Sequence, residues 1–292
     1  MVTRSERPGQ LGGVGATSLG VAALRAAEHQ RPDRLVADPY ARLVLDAAAA
    51  GGSPWATNSP QAGAGFFALM ADQVAVRTRF FDQTLLGLTR TGGAQVVLLA
   101  CGMDTRAYRL DWPAGTRVFE VDFREVLTFR DRALAAYDIT PRCQRIAVAA
   151  DLRKDWPSAL RGAGFDPTRV SAWLAEGILY ALPAAACDTL LDRITGLSAP
   201  GSTLALDQLA DSPLLRAARV AVSPDLVDLW QGGPGDLNGW LTSRGWHPNI
   251  RDLRDIADQY QRPVPGELAG TVTQPSRAWL GTATLNPQVP IP

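Results

Sequence analysis

The chain has 292 residues, 46% of them hydrophobic, with 29 basic and 29 acidic side chains. This composition is typical of a globular protein, and the zero net charge gives no indication of a nucleic-acid or anionic-membrane partner. Cys101, Cys143 and Cys187 are scattered and odd in number, which argues against a disulfide framework or a metal site. The sequence has no recognisable signal peptide or membrane-spanning run, so we expect a cytoplasmic protein without metal.

The beginning of the chain predicts helices. Residues 1–16 form a polar, glycine-rich leader, and Thr17 or Ser18 can cap a helix through VAALRAAEH. Asp38 followed by Pro39 predicts the start of a second helix, because aspartate favours the N-cap and proline the first helical position.

A long third helix completes this helical region. A Gly-, Ser- and Pro-rich loop is expected over residues 51–65. From Phe66 to about Arg90, apolar side chains recur at spacings of three, four and seven, which predicts one helix with an apolar face. We therefore expect residues 1–93 to form a helical cap packed on a core of residues 94–292.

From Gln95 onward, short apolar runs alternate with helical intervals. This alternation predicts an α/β fold with a parallel, doubly wound sheet. The predicted strands are 96–100, 118–121, 146–149, 170–175, 203–206, 246–250 and 278–285. The predicted helices of this part are 124–137, 156–162, 183–197, 214–230 and 236–245. Helices inserted over about 211–265 are expected to shape an acceptor pocket.

Acidic side chains follow the predicted strands, near the edge where an open α/β sheet binds ligands. They are Asp104, Asp122, Asp151, Glu176 and Asp207. The alternative interpretation is that such acids cap the following helices, and it fits Asp207 best.

The turn after the first predicted strand contains Gly102, but the sequence lacks the third glycine of a G-x-G-x-x-G motif. That third glycine packs the helix beneath a pyrophosphate. About twenty residues after the turn comes Asp122, where a carboxylate can bind both hydroxyls of a ribose. A ligand with a ribose but no pyrophosphate, such as S-adenosylmethionine (SAM), is therefore the better fit.

Several motifs occur in the order found in a known family. They are TSLGVAALRAAEH, ADPYARLVL, AVRTRFFDQTLL, VVLLACGMDTRAYRLDWPAGTRVFEVDF, ADLRKDW and AWLAEGILYALP. On these segments, over roughly residues 17–185, the chain resembles the leucine carboxyl methyltransferase family, and more closely its bacterial branch of SAM-dependent O-methyltransferases. The resemblance implies a class I, Rossmann-like methyltransferase fold with an N-terminal helical extension, and a role in secondary metabolism.

The resemblance also implies residues that bind the adenosine part of SAM. Asp122 matches the acid that binds the ribose hydroxyls. Asp151 and Leu152 match the pair that reads the adenine, through a carboxylate and a backbone N–H. Ala100 stands where the family usually has glycine, and it places a methyl group near the cofactor.

For the methionyl part, the resemblance places Gly102 against the cofactor and Glu176 near its amine. Arg77 matches the arginine that pairs with the methionyl carboxylate, although Arg79 is also possible from the register of the helix. Arg25 matches a basic position that holds that carboxylate or the acid of the substrate. Without the family, these arginines read as solvated helix charges.

Methylation of a carboxylate needs no general base, because the acceptor is already an anion at neutral pH. The sequence therefore favours a methyl ester on a small-molecule carboxylic acid. The alternative is methylation of a hydroxyl, with Glu176, Tyr180 or His247 as the base. Tyr180 is otherwise a candidate pocket residue or a plain loop aromatic. A nicotinamide-dependent dehydrogenase is disfavoured by the missing glycine, and SAM binding without turnover remains open.

Overall fold

The computed structural model describes residues 13–52, 60–90, 94–211, 213–222, 230–264, 270–271 and 274–286. The helices are α1 (Gly13–His29), α2 (Ala41–Ala50), α3 (Pro60–Leu88), α4 (Arg106–Arg109), α5 (Arg124–Ala135), α6 (Trp156–Gly162), α7 (Ala184–Gly196), α8 (Pro213–Val222), α9 (Leu237–Thr242) and α10 (Leu253–Gln259). The strands are β1 (Gln95–Leu99), β2 (Arg117–Asp122), β3 (Gln144–Ala149), β4 (Ser171–Ala175), β5 (Thr203–Leu209), β6 (Trp246–Asp252), β7 (Gly270–Thr271) and β8 (Gln274–Leu285).

Seven strands form one sheet in the order β3-β2-β1-β4-β5-β8-β6, and the short β7 pairs with β8. Neighbouring strands from β1 to β5 are parallel, whereas β8 runs antiparallel to both β5 and β6. The predicted α/β fold with a doubly wound, seven-stranded sheet is therefore confirmed.

The sheet is covered on both faces, because alternate residues of each strand point to opposite sides. In β1, Val96 and Leu98 pack in one apolar cluster with α1 and α3, whereas Val97 and Leu99 pack in a second with α6 and α7. All four side chains are buried. This double burial explains why the strands read as continuous apolar runs.

The chain order reverses at β1. From β1 the chain continues to β2 and β3 on one side, whereas β4 and β5 lie on the other. The connections leave the sheet in opposite directions at this point and open a crevice beyond the carboxyl ends of β1 and β4, which is where open α/β sheets bind ligands.

The helical region differs from the prediction at its boundaries. α1 starts at Gly13, so Thr17 and Ser18 lie inside the helix rather than capping it, and residues 1–12 are outside the described part. α3 starts at Pro60, so part of the predicted loop 51–65 is helical, and residues 53–59 are not described. The glycine-rich composition predicts a loop, but the cost of about 1 kcal/mol per glycine is tolerable in a helix of this length.

The second predicted helix start has a slightly shifted form. The Asp38 carboxylate accepts hydrogen bonds from the backbone N–H groups of Tyr40 and Ala41, at 3.2 and 3.1 Å. The helix itself begins at Ala41, two residues later than the predicted proline position.

The last third of the chain is tied to the sheet and to the N-terminal helices. The predicted helix 214–230 is wrong in extent: α8 ends at Val222, residues 223–229 are not described, and Trp230 is not helical. The region 211–265 also contains β6, so it contributes a strand to the sheet. In the described ranges, no helix combines the length and the hydropathy needed to cross a lipid bilayer.

Arg262 joins this last third to α1 and α3. Its buried guanidinium donates two hydrogen bonds to Glu28, at 2.9 and 3.1 Å, and one to Asp72 at 3.1 Å. It also donates to the backbone carbonyl of Asp33 at 2.7 Å. Because four contacts satisfy one buried cation, the segment after α10 is held against both helices.

Candidate active site

A cavity of about 520 Å³ lies at the carboxyl ends of β1 and β4. Its volume is in the range of small-molecule sites. Residues of α1 and α3, of the turns after β1 and β2, and of the segments after β3 and β4 line it. The structure brings nine of the predicted site residues to this cavity, namely Arg25, Arg77, Ala100, Gly102, Asp122, Asp151, Leu152, Glu176 and Tyr180. Arg79 and His247 are exposed and lie outside the lining.

The turn after β1 has an unusual backbone. Ala100 and Gly102 adopt positive φ angles of 47° and 54°, a region that favours glycine. A Cβ atom on Gly102 would lie 2.7 Å from the Cβ of Ser18 in α1, so the turn and the helix are in close contact. The positive φ at Ala100 is a conformation that glycine adopts more easily, and it marks a strained residue in this chain.

Asp122, the last residue of β2, is held by backbone donors in the part of the chain that the structure describes. One carboxylate oxygen accepts from Gly102 N at 2.6 Å, and the other accepts from Phe123 N at 2.7 Å. Burial raises the pKa of Asp122 above its ordinary value, and the two N–H donors and the more distant Arg130 offset only part of that rise. The structure thus fixes an acidic side chain at the cavity wall by connecting it to the glycine turn.

Asp151 lies beyond β3 and is paired with a neighbour in sequence. The Arg153 guanidinium donates to both of its oxygens, at 2.9 Å and 2.8 Å. The side-chain hydrogen bond from Arg153 is the main reason that the pKa of Asp151 lies below its ordinary value. A ligand amine at Asp151 would therefore share the carboxylate with an exposed arginine.

Arg77 is buried between two acids from neighbouring strands. Its Nε lies 2.9 Å from a Glu176 oxygen, an ion-pair distance without hydrogen-bond alignment, and its NH1 donates to Asp207 at 3.1 Å. The second Asp207 oxygen accepts from Gly177 N at 2.6 Å. Because these partners come from α3, from the end of β4 and from β5, the ion pairs join the helix to the sheet.

Asp207 corrects the sequence interpretation. It was expected to follow its strand and to cap the next helix, but β5 runs to Leu209 and Asp207 lies within it, 1% exposed. Burial raises the pKa of Asp207, and the Arg77 cation opposes that rise. An acid this deep belongs to the buried ion pairs beside the cavity and not to a helix end.

Arg25 in α1 contacts the same region. Its Nε donates to Asp38 at 2.8 Å, and NH2 donates to the backbone carbonyl of Met103 at 2.5 Å. Asp38 also accepts from Thr105 Oγ1 at 2.8 Å. The guanidinium therefore connects the first helix to the turn that carries Gly102.

Tyr180 and Trp230 form the aromatic part of the lining. Their rings are stacked, with centroids 4.3 Å apart and planes inclined by 16°. Burial raises the pKa of Tyr180 to about 12, although the neighbouring Arg77 lowers it in part. Met70 and Val74 of α3 line the cavity as well, so it has both an apolar part and a charged part.

Arg106 of α4 was given no role from the sequence, yet it contacts three carboxylates. Its guanidinium donates to Asp82 at 2.7 Å, to Asp104 at 2.5 Å and to Glu176 at 2.7 Å. Burial alone would raise the pKa of Glu176, but Arg106 and Arg77 together outweigh it and lower the pKa. The only signal in the sequence was the position of Arg106 inside the distinctive CGMDTRAYR motif.

The lining has the groups that a nucleoside with an amino-acid tail requires. Asp122 presents a carboxylate whose partners among the described residues are backbone N–H groups, which suits it to a pair of hydroxyls. Gly102 leaves backbone exposed to the cavity at a place where a side chain would collide with α1. Arg77, Arg25 and Glu176 supply both signs of charge at the same cavity. These features fit SAM.

Comparison with known proteins shows the family to which the chain is similar. A model of the leucine carboxyl methyltransferase family matches residues 18–195. A relative from Parafrankia sp., named as a SAM-dependent methyltransferase, is 45% identical over 263 residues, which cover 88% of this chain and 84% of that protein. A relative from Mycolicibacterium smegmatis with the same description is 43% identical over 273 residues, 88% of this chain and 91% of its own.

Two solved structures share the fold. A protein from Thermobifida fusca described as a methyltransferase has a TM-score of 0.55 at 20% identity, covering 84% of this chain and 94% of that one. A protein of the DUF574 family from Streptomyces avermitilis also has a TM-score of 0.55, at 14% identity, covering 94% of this chain and 100% of that one.

Proposed function

The chain belongs to the leucine carboxyl methyltransferase family and is a SAM-dependent methyltransferase, and from that premise we propose that it forms methyl esters on a small-molecule carboxylic acid. We further propose a cytoplasmic enzyme that acts on a secondary metabolite, in keeping with its three free cysteines. Because the relatives are named as SAM-dependent methyltransferases, the dehydrogenase interpretation is rejected.

The observation that carries the proposal is the ionisation of the lining. Burial raises the pKa of the Cys101 thiol well above its ordinary value, and that of Tyr180 is about 12. Arg106 and Arg77 lower the pKa of Glu176, which weakens this carboxylate as a base. No histidine lines the cavity among the residues that the structure describes. This lining suits an acceptor that is already an anion, whereas a hydroxyl needs a base near its working pH.

The groups that bind SAM are proposed from their positions. Asp122 would accept hydrogen bonds from the two ribose hydroxyls, while Asp151 and the backbone N–H of Leu152 would bind the adenine. Arg77, with Arg25 in the same cavity lining, would bind the methionyl carboxylate, and Glu176 would bind the amine. SAM supplies a methyl group on a positively charged sulfur.

The acceptor would lie against the apolar side of the cavity. Met70, Val74 and the Tyr180–Trp230 stack present carbon surface there, which excludes water and favours an acid with a hydrophobic body. The protein then needs only to orient the carboxylate oxygen towards the methyl group, and such orientation can supply several kcal/mol of the rate enhancement.

The test uses SAM with a labelled methyl group and matched acceptor pairs, such as benzoate with phenol and hexanoate with hexanol. We expect label to enter organic-soluble product only with the acids, and mild base to release it as methanol. Asp122→Ala should abolish the label with every acceptor, which separates catalysis by this site from contamination. Labelled product that resists mild base would identify an ether and overturn the ester proposal.

A further inference from the structure

Nine buried or nearly buried side chains beside the cavity form one continuous set of ion pairs, which we call the arginine network. Its cations are Arg25, Arg77, Arg106 and Arg109, and its anions are Asp38, Asp82, Asp104, Glu176 and Asp207. Among the described residues, the network thus has five carboxylates for four guanidinium groups.

Each carboxylate of this network lies within ion-pair distance of at least one arginine, which favours its charged form. The pKa values of Asp104 and Glu176 lie below their ordinary ones, because the neighbouring arginines outweigh the effect of burial. Burial raises the pKa of Asp207, but both of its oxygens face donors, namely Arg77 and the N–H of Gly177, which oppose that rise and favour the charged form. The network therefore has an excess of one negative charge.

Asp122 adds a further carboxylate to the same cavity, one whose raised pKa is offset only in part by the N–H donors and the more distant Arg130. Its contacts are the N–H groups of Gly102 and Phe123, and no ion pair of Asp122 occurs within the described ranges. Asp151, in contrast, is neutralised by Arg153. Asp104, Glu176 and Asp122 all line the cavity, so the surplus charge acts on whatever binds there.

The two forms of the cofactor differ in one charge. SAM and S-adenosylhomocysteine have the same amine, carboxylate, ribose and adenine, and only SAM carries the sulfonium charge. In a partly buried cavity, an unpaired charge is screened less than in water. The surplus carboxylates therefore attract the sulfonium of SAM more strongly than they would in water. We propose that the arginine network makes the site select the sulfonium form, so that the demethylated cofactor is bound more weakly than the donor.

The experiment is calorimetric titration with SAM, S-adenosylhomocysteine and sinefungin, which carries an ammonium group near the position of the sulfonium. We expect SAM and sinefungin to bind at least about tenfold more tightly than S-adenosylhomocysteine, a difference of about 1.4 kcal/mol. Equal or tighter binding of S-adenosylhomocysteine would overturn the proposal. No acceptor is present, so this result is independent of whether the acceptor is an acid.

Variants identify the source of the selectivity. Asp207→Asn and Glu176→Gln each remove one negative charge and keep the shape of the side chain, and we expect each to reduce the ratio of the two dissociation constants at least about threefold. Asp46→Asn, in an exposed ion pair of α2, should leave the ratio unchanged. A ratio that stays at its wild-type value in folded Asp207→Asn and Glu176→Gln would overturn the proposal, even if all three ligands bind more weakly. Should either variant fail to fold, the other decides, and the wild-type comparison with sinefungin decides if both fail.

Discussion

The carboxylate of Asp122 is held by two backbone N–H groups, whereas the nine side chains of the arginine network beside the cavity hold one another. The first arrangement depends on one strand end and one turn. The second joins α1, α3 and α4 to the end of β4 and to the interior of β5. The position of Asp122 is therefore specified locally, in keeping with its proposed role in ligand binding, while the arginine network joins several elements of the fold.

The sharpest test of this difference is to remove the central cation. Arg106→Met leaves three buried carboxylates without their shared partner, so we expect the free energy of unfolding to fall by about 3–5 kcal/mol. Urea unfolding followed by circular dichroism measures it. Arg42→Met, in an exposed pair with Asp46, is the control and should change stability by less than about 1 kcal/mol. A similarly small change for Arg106→Met would show that the network does not hold the fold.

At Asp122 we expect the opposite result, a large loss of SAM affinity with little change in stability. Asp122→Ala removes the proposed acceptor of two ribose hydroxyls, so the dissociation constant of SAM should rise about 100-fold. Stability should change little, because the buried carboxylate carries its own desolvation cost. Calorimetric titration and urea unfolding on the same protein separate the two effects. A large loss of stability with unchanged SAM affinity would reverse the comparison.

The turn after β1 can be tested through the positive φ of Gly102 and its contact with α1. Gly102→Ala forces a side chain into a positive φ and towards Ser18, and we expect a loss of about 2 kcal/mol in unfolding free energy together with weaker SAM binding. Adding Ser18→Gly should restore the part that is due to the collision but not the part that is due to φ. If the double variant is no more stable than Gly102→Ala, the contact with α1 is not the cause.

The smallest effect is expected at Ala100. Its φ of 47° favours glycine, so Ala100→Gly should stabilise the protein by about 1 kcal/mol. Ala107→Gly, in the short helix α4, is the matched control and should be destabilising. Thermal unfolding distinguishes the two, and destabilisation by Ala100→Gly would mean that the alanine methyl group contributes more through packing than it costs in strain.

The same contrast explains what the sequence could predict. The sheet could be predicted because its strands are buried on both faces and separated by turn residues. The position of Asp122 could be predicted because it ends a strand about twenty residues after the glycine turn. The arginine network could not be predicted from the sequence, because Arg77 and Asp207 are separated by 130 residues and Arg106 and Glu176 by 70. Asp207 was misjudged because the apolar run ends at Leu206, while hydrogen bonding to β8 extends the strand to Leu209.

Arg262 has a consequence for the order of events during synthesis. The two helices that it clamps, α1 and α3, carry Arg25 and Arg77, and both emerge from the ribosome long before the residue that fixes them together. A nascent chain that has completed β1 to β4 thus has the strand ends that border the crevice. Its helices α1 and α3, however, are not yet held together by Arg262. Truncation ahead of residue 262 should leave a chain that resists proteolysis poorly in α1, however much of the sheet it contains.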